Sequence, residues 1–379
     1  MTHPFAEYRA LFPILEQAAQ LSSCSQSALS LPVRDAIHDY LEVWQTRGAD
    51  WPYWMERVAG ARAQFAELIG ARLEDIAVLG SVSDAASSVV SALDFPSSRN
   101  GVVASTLDFP SLCHVWLAQA PRGAQLRFVD GTPGNADPAQ GLIDALDDHT
   151  ALLAVSHASF YDGQLTDLGR TATAAKAHGT LMFVDAYQSA GSVPIQVHEQ
   201  GVPVLAAGAQ KYLLGIPGIA FLYVAPDLAP RLQPKVTGWF GRVNPFAFDP
   251  RQLDFPPGGE RFNTGTPPML PAAAAEAALK LLNQIGVAPI AAWLATLSQV
   301  AIEEAEALGL EVVSPRQVGA KGGNTAIRVG QAAPLERAMA AQGYIVSARN
   351  DVIRIAPHFY NTTDEVAGAV RALARLLRG

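Results

Sequence analysis

Cysteine is almost missing from this chain of 379 residues. Cys24 and Cys113 are its two cysteines. That is too few for a disulfide framework, and they lack the spacing of a metal site, so no bound metal is expected. Charge is scarce as well. Asp, Glu, Lys and Arg make up 16% of the residues and the formal net charge is −8. No basic run occurs, so nothing points to a nucleic-acid partner. No apolar stretch reaches the ~18 residues that a membrane-spanning helix needs, so no membrane partner is expected. The opening residues MTHPFAEYRA have no basic segment leading into an apolar core and do not read as a signal peptide. A cytoplasmic location is the default. The first predicted strand is not followed by the glycine fingerprint of a dinucleotide site.

What the chain does hold is apolar residues, 49% of the total, enough for a large core. Residues 1–50 read as an N-terminal segment, an irregular start with a small polar tract, LSSCSQSALS, and a helix over 32–47; its packing on the site and small domain is what the family resemblance described below implies. A second helix is predicted over 52–69. The pattern then changes to short apolar runs at 76–80, 102–105, 125–129, 151–156, 181–185, 202–207 and 219–224. Amphipathic stretches at 83–93, 111–119 and 165–178 separate most of them. Strands alternating with helices predict an α/β chain with a seven-stranded, mainly parallel sheet buried on both faces. The large domain is placed at 51–265. After the Pro/Gly-rich tract DPRQLDFPPGGERFNTGTPPML, residues 266–379 read as a small C-terminal α+β domain. It has helices over 272–284, 289–308, 334–342 and 363–377, and strands over 310–313, 325–329 and 352–355.

The stretch 181–224 carries the chemistry. One apolar run ends in Asp185, with Gln188 three residues on, and the next run is followed by Gln210 and Lys211. Both groups sit just past strand ends, at the edge where open α/β sheets bind ligands. A lysine held in an apolar pocket loses solvation, so its amine deprotonates more readily and becomes a nucleophile toward aldehydes. A nearby carboxylate can keep a pyridine nitrogen protonated. These are the two groups that pyridoxal phosphate requires of a protein. Gln188 is placed to donate to the ring's phenolic oxygen. GSVSDA (80–85) follows the first strand and opens a helix, which makes an anion site of backbone N–H groups. DFPS (108–111) again lies at a helix start, and Phe109 can stack on a ring face.

The segments GSVSDA, DFPS, VDAYQ, GAQKYLLGIPG, RFNTGTP and IRIAPHFYN occur in order over residues 80–361. In this the chain resembles the fold-type I pyridoxal-phosphate enzymes of the class V aminotransferase superfamily. That group includes kynureninases, cysteine desulfurases and isopenicillin N epimerase-like proteins. The resemblance implies that Lys211 is the Schiff-base lysine and Asp185 the partner of the ring nitrogen. It implies that Val82, Ser83 and Thr266 contact the phosphate, Thr266 from the second subunit of a homodimer with the site at its interface. Phe109 would stack on the ring and Gln210 would border the cofactor. Arg354 would bind the substrate α-carboxylate, which suits a guanidinium. Gln26, with Ser23, falls in an N-terminal segment that covers the site in this superfamily. Tyr161, with His157, follows the fourth strand and should approach the pocket as a substrate contact.

The implied function acts on a free α-amino acid through a Schiff base and a carbanion at Cα. Class V aminotransferase-like activity is the first expectation. β-Lyase (C–S lyase) or kynureninase-like Cβ–Cγ hydrolysis is the alternative, with epimerisation or racemisation behind it. Two departures limit the choice. Kynureninases typically carry a tyrosine before the lysine, where this chain has Gln210. Desulfurases carry a cysteine on a loop well after the lysine, and here no cysteine follows Cys113. Taken singly, each signal has a plain structural reading: Asp185 as a helix cap, Lys211 as a solvated surface residue, Arg354 as half of an ion pair. Trp239 reads equally as site wall or core. A ligand-binding protein without catalysis is the alternative of another class, and the joint presence of Lys211, Asp185 and Arg354 argues against it.

Overall fold

The computed structural model describes residues 3–378. In chain order the elements begin with β1 (Ala19–Gln20), α1 (Leu31–Arg47), α2 (Trp51–Ile69), β2 (Ile76–Leu79), α3 (Val82–Ser91), β3 (Gly101–Ser105), α4 (Pro110–Leu117) and β4 (Gln125–Val129). They continue with α5 (Pro138–Asp144), β5 (Thr150–Ser156), α6 (Leu168–Ala177), β6 (Leu181–Asp185), β7 (Val204–Gly208) and β8 (Ala220–Val224). The last third holds α7 (Met269–Ile285), α8 (Val287–Ala307), β9 (Thr325–Arg328), α9 (Ala332–Ala340), β10 (Tyr344–Ile345), β11 (Ser347–Arg349), β12 (Val352–Ile355) and α10 (Thr363–Arg378). Helix starts follow local chemistry. Ser30, Asp50, Ser81 and Asp167 each accept a backbone N–H with the side chain, capping α1, α2, α3 and α6. Pro32 and Pro52 sit in the first turns of α1 and α2, where a missing N–H costs nothing.

The 7-stranded sheet has the order β2-β8-β7-β6-β5-β3-β4. β8 runs antiparallel to both its neighbours, and the remaining pairs are parallel. Every strand except β8 therefore points its C-terminal end to the same edge. The order also reverses there: the chain passes from β3 outward to β4, then returns to place β5 on the other side of β3. Such a reversal opens a crevice at the C-terminal strand ends. Alternate residues feed two cores. Val103, Leu153, Val184 and Leu205 pack in one with α2 and α7 residues. Val102, Leu152, Phe183 and Val204 pack in the other with α3 and α4 residues. This is why the strands read as unbroken apolar runs. The edge strand β4 is the exception, with Phe128 45% exposed.

The expected strand over 310–313 shrinks to one bridge, Val312 with Ile327. The Ser314 hydroxyl leaves the ladder there to bond the Asp162 carbonyl and the Ala326 N–H. Three short strands were not expected: β1, β10 and β11. β1 pairs parallel with β10, and β11 forms one edge of a 3-stranded sheet of order β11-β12-β9. The segment from Ala19 to Ala28 acts as a strap. It bonds Gly343, Ile345 and Ala356 on one side and the Gln210 carbonyl on the other.

Phe183 is wholly buried, edge-to-face with Trp116 at 5.3 Å. Phe183→Ala is expected to destabilise the fold by about 3–5 kcal/mol, measured by denaturant unfolding of the purified protein.

Candidate active site

The crevice at the strand ends holds a cavity of about 240 Å³. Each wall comes from a different strand end. Ser81, Val82 and Ser83 arrive after β2, and Phe109 and Ser111 after β3. Ser156, Ala158 and Phe160 arrive at and after β5, Asp185, Tyr187 and Gln188 after β6, and Gln210 and Lys211 after β7. The sheet thus gathers residues spread over some 130 positions, from Ser81 to Lys211, onto one edge.

Lys211 stands over the Tyr187 ring, with Nζ 4.1 Å from its centroid and 5.5 Å from that of Phe109. Burial pulls its amine down to about 8. Asp185 opposes that shift, while the guanidiniums of Arg354 and Arg349 add to it. The loop that carries the lysine is tightly turned. Leu214 holds a φ of 61°, in the left-handed region, and its N–H bonds the Lys211 carbonyl at 3.1 Å. The Ser27 hydroxyl donates to the same carbonyl at 2.6 Å. Asp185 is buried at the end of β6. Burial raises its carboxyl, whereas the Tyr187 N–H, at 2.8 Å from Oδ1, and Lys211 lower it. Asp108 is a second buried acid close by, pushed up to about 6 by burial and held by the Ser105 N–H at 2.9 Å.

Six expected site residues besides this acid and lysine also line the cavity or approach it. Val82 and Ser83 form the first turn of α3. Phe109 presents its ring edge-to-face with Phe160 at 5.2 Å. Gln188 donates from Nε2 to the Cys24 carbonyl at 3.0 Å, leaving Oε1 buried without a partner. Gln210 reaches the Ser25 carbonyl at 3.3 Å. Arg354 lies behind Phe160, wholly buried, and donates to the Phe160 carbonyl at 2.7 Å.

Three others stand away from the cavity. Tyr161 turns into the small sheet, where its hydroxyl donates to Asp351 at 2.6 Å, and its neighbour Phe160 faces the cavity instead. Gln26 is exposed on the strap, its amide donating to the Gly215 carbonyl at 3.3 Å. Thr266 is exposed in the loop between a short helical turn at 259–262 and α7. His157 is buried and neutral, burial taking its imidazole down to about 4. Trp239 belongs to an aromatic group with Trp51, Phe240 and Phe248, apart from the cavity. Burial lifts the Cys113 thiol to about 12, which leaves it a poor nucleophile. Sequence reasoning missed Tyr187, Phe160, Asp108 and Arg349. Tyr187 was the most findable, since it lies between Asp185 and Gln188.

A half-buried lysine with an easily deprotonated amine near a buried acid, at the switch edge of an α/β sheet, defines an enzyme that binds a carbonyl cofactor. The sequence model of the family described as aminotransferase class-V matches residues 27–368, and the chain belongs to that family. It is 41% identical over 375 residues to an uncharacterized aminotransferase, YcbU, of Bacillus subtilis, covering 99% of this chain and 98% of the relative. It is 28% identical to kynureninase of Pseudomonas fluorescens, over 88% of this chain and 81% of that protein. Among solved structures, a cysteine desulfurase from Thermococcus onnurineus NA1 superposes with a TM-score of 0.87 at 21% identity, covering 100% of this chain and 99% of that one. The cystine C–S lyase C-DES does so with 0.87 at 20% identity, over 96% and 99%. These two share the fold, that of the fold-type I enzymes. The cofactor is pyridoxal phosphate. The residues present fit it: a lowered amine for the aldehyde, a buried carboxylate for the ring nitrogen, an aromatic ring beside both, and a helix N-terminus for the phosphate.

Two outcomes follow from this geometry. In cofactor-free protein, aldehyde capture by Lys211 is expected to rise with pH through a half-point of about 8, because only the neutral amine reacts. Asp185→Asn removes the anion that holds the ammonium, so the half-point moves down. Borohydride trapping at each pH with peptide mass spectrometry measures both, and a half-point at the ordinary 10.5 would refute burial as the cause. Gly208 closes β7 under Tyr187, where a Cβ would meet the ring at 2.2 Å. Gly208→Ala must therefore displace that ring from beneath Lys211. The expected cost is about 1–3 kcal/mol of stability, with weaker cofactor retention, read by thermal melting and cofactor titration.

Proposed function

We propose that this chain is a pyridoxal-phosphate-dependent aminotransferase acting on a free α-amino acid. The observation that carries the reading is Lys211, a buried amine brought down to about 8 beside the buried carboxylate of Asp185. The 41% identity to an aminotransferase over nearly the whole chain supports transamination in particular.

Bound here, pyridoxal phosphate supplies the electron sink that makes the substrate's Cα hydrogen acidic. The chain's own residues do the rest. Lys211 Nζ would be the amine that bonds the aldehyde carbon and, half deprotonated at about pH 8, the base placed to accept the Cα proton. Asp185 would pair with the ring nitrogen. Val82 and Ser83 would hold the phosphate through the start of α3, with Thr266 of a second copy completing that cradle. Phe109 would pack on the ring, and Gln188 and Gln210 would border it. Arg354 would take the α-carboxylate. Gln26 and Tyr161, expected as substrate contacts, bond the Gly215 carbonyl and Asp351 in a single copy of the chain.

A homodimer is part of this reading. Thr266 is exposed, and the same region shows Val243, Leu253 and Phe248 at 61%, 57% and 71% exposure, an apolar patch suited to a second copy. A cytoplasmic location is proposed on the two free, buried cysteines. No single helix among the described residues is long and apolar enough to cross a membrane.

The second reading is β-elimination or kynureninase-like hydrolysis, favoured by the kynureninase relatives. Product analysis separates the two. Transamination yields a keto acid and an aminated cofactor in the absence of any acceptor. The rival reactions yield pyruvate or alanine with the cofactor unchanged. Lys211→Ala is expected to abolish borohydride fixation of the cofactor and to lower turnover by about a thousandfold or more. Fixation persisting in that variant would remove Lys211 from its role.

A further inference from the structure

Two arginines of the β11–β12 hairpin neighbour Phe160, which lines the cavity. The register sets Ser347 opposite Arg354 and Arg349 opposite Val352. Alternation along antiparallel strands then places Ser347, Arg349, Val352 and Arg354 on one face. Phe160 is a neighbour of both guanidiniums. Arg354 donates to its carbonyl at 2.7 Å, and the Arg349 guanidinium carbon lies 6.0 Å from its ring centroid. Both arginines push the Lys211 amine down, so both sit within electrostatic reach of the reacting nitrogen.

Among the described residues neither arginine makes an ion pair. The terminal nitrogens of Arg354 donate to neutral oxygens, the Phe160 carbonyl and the hydroxyls of Ser25 and Ser347. The Nε atoms of both arginines are buried with no hydrogen-bond partner. Of the neighbouring acids, the Glu336 carboxylate accepts the Ala348 N–H at 2.8 Å and reaches Arg349 only through space, without an ion pair, and Asp351 is held by Tyr161 and Arg328. Arg354 is wholly buried and Arg349 half-buried, and a guanidinium withdrawn from water without an ion pair is costly unless a ligand brings the anion. An α-carboxylate answers one of them.

We infer that Arg349 and Arg354 form a clamp for two carboxylates, and that the substrate is an α-amino acid with a second carboxylate on its side chain. Arg354 takes the α-carboxylate and Arg349 the distal one. This deepens the reading under Proposed function and rests on it.

The test compares ligands on the holoenzyme by isothermal titration calorimetry. Succinate and glutarate are set against butyrate, and L-aspartate and L-glutamate against L-alanine. The expected result is binding of the diacids at least about tenfold tighter than of the monoacids, as for a charge-assisted pair formed in a buried site. Arg349→Gln should erase that preference while leaving butyrate and L-alanine affinity within about threefold. Arg349→Lys should restore part of it. Thermal melting of each variant shows that it is folded, and the wild-type ligand series stands without any variant. Equal binding of mono- and diacids by the wild type would overturn the clamp. So would an Arg349→Gln protein that loses both classes alike, which would put Arg349 on the α-carboxylate. Borohydride fixation on the same preparation fails only if the cofactor reading fails, so the two failures are separable.

Discussion

Everything at this site depends on holding an amine and a carboxylate together out of water. Lys211 alone in such a place would resist protonation far more strongly, and Asp185 alone would resist ionisation. Each moderates the other's shift. The net result for Lys211 is a folded-state value near 8 against an ordinary 10.5. That gap corresponds to a cost on the order of 3 kcal/mol for carrying the charged amine in the folded state. The sign is definite. The unfolded chain binds the proton more tightly, so this group's contribution to stability rises between pH 8 and 10.5 and is at its least favourable below. The fold tolerates the cost because a chemically useful amine is the same thing as a poorly solvated one.

The sheet makes this placement possible. β6 and β7 are parallel neighbours, so Asp185 at the end of one and Lys211 just past the end of the other are delivered to one edge. Small residues pack the floor beneath them. Gly208 ends β7 where any side chain would collide with Tyr187, and that ring supports the lysine. The strap then closes the arrangement from above. Ser27 and Ser25 fix the lysine loop through the Lys211 carbonyl and the Gln210 amide. Ser25 also bonds Arg354 and Ser347. One short polar tract therefore ties the cofactor end of the site to the substrate end.

The large sheet was legible in the sequence because strands buried on both faces are written as plain apolar runs. All seven runs became strands of that sheet. Asp185 and Lys211 were legible by their position after such runs, and Ser81–Ser83 by the cap that opens α3. Legibility stopped where local pattern stops. Phe160 and Tyr161 are adjacent aromatics in a loop, and no periodicity tells which one faces the cavity. The reading chose Tyr161, and Phe160 is the one that lines it. β11 is short and mostly polar, so neither it nor Arg349 carried an apolar signature. The strap was read as irregular because its order comes from partners more than 150 residues away, such as Gln188 and Gln210. Thr266 and Gln26 were assigned by resemblance to known enzymes, and within one copy of the chain neither reaches the cavity.

The strap also has a consequence for how the protein is made. Ser25 is translated before its partners Ser347 and Arg354, which lie 322 and 329 residues later. The residues assigned to the cofactor, apart from Thr266, are all translated by Lys211. A nascent chain can therefore complete the cofactor end while the substrate end does not yet exist. Closing a loop of that length is slow relative to local folding. Once Lys211 is made, the tract can already pair with Gln188, Gln210 and Lys211, and only its bonds to Ser347 and Arg354 must wait for the later strands.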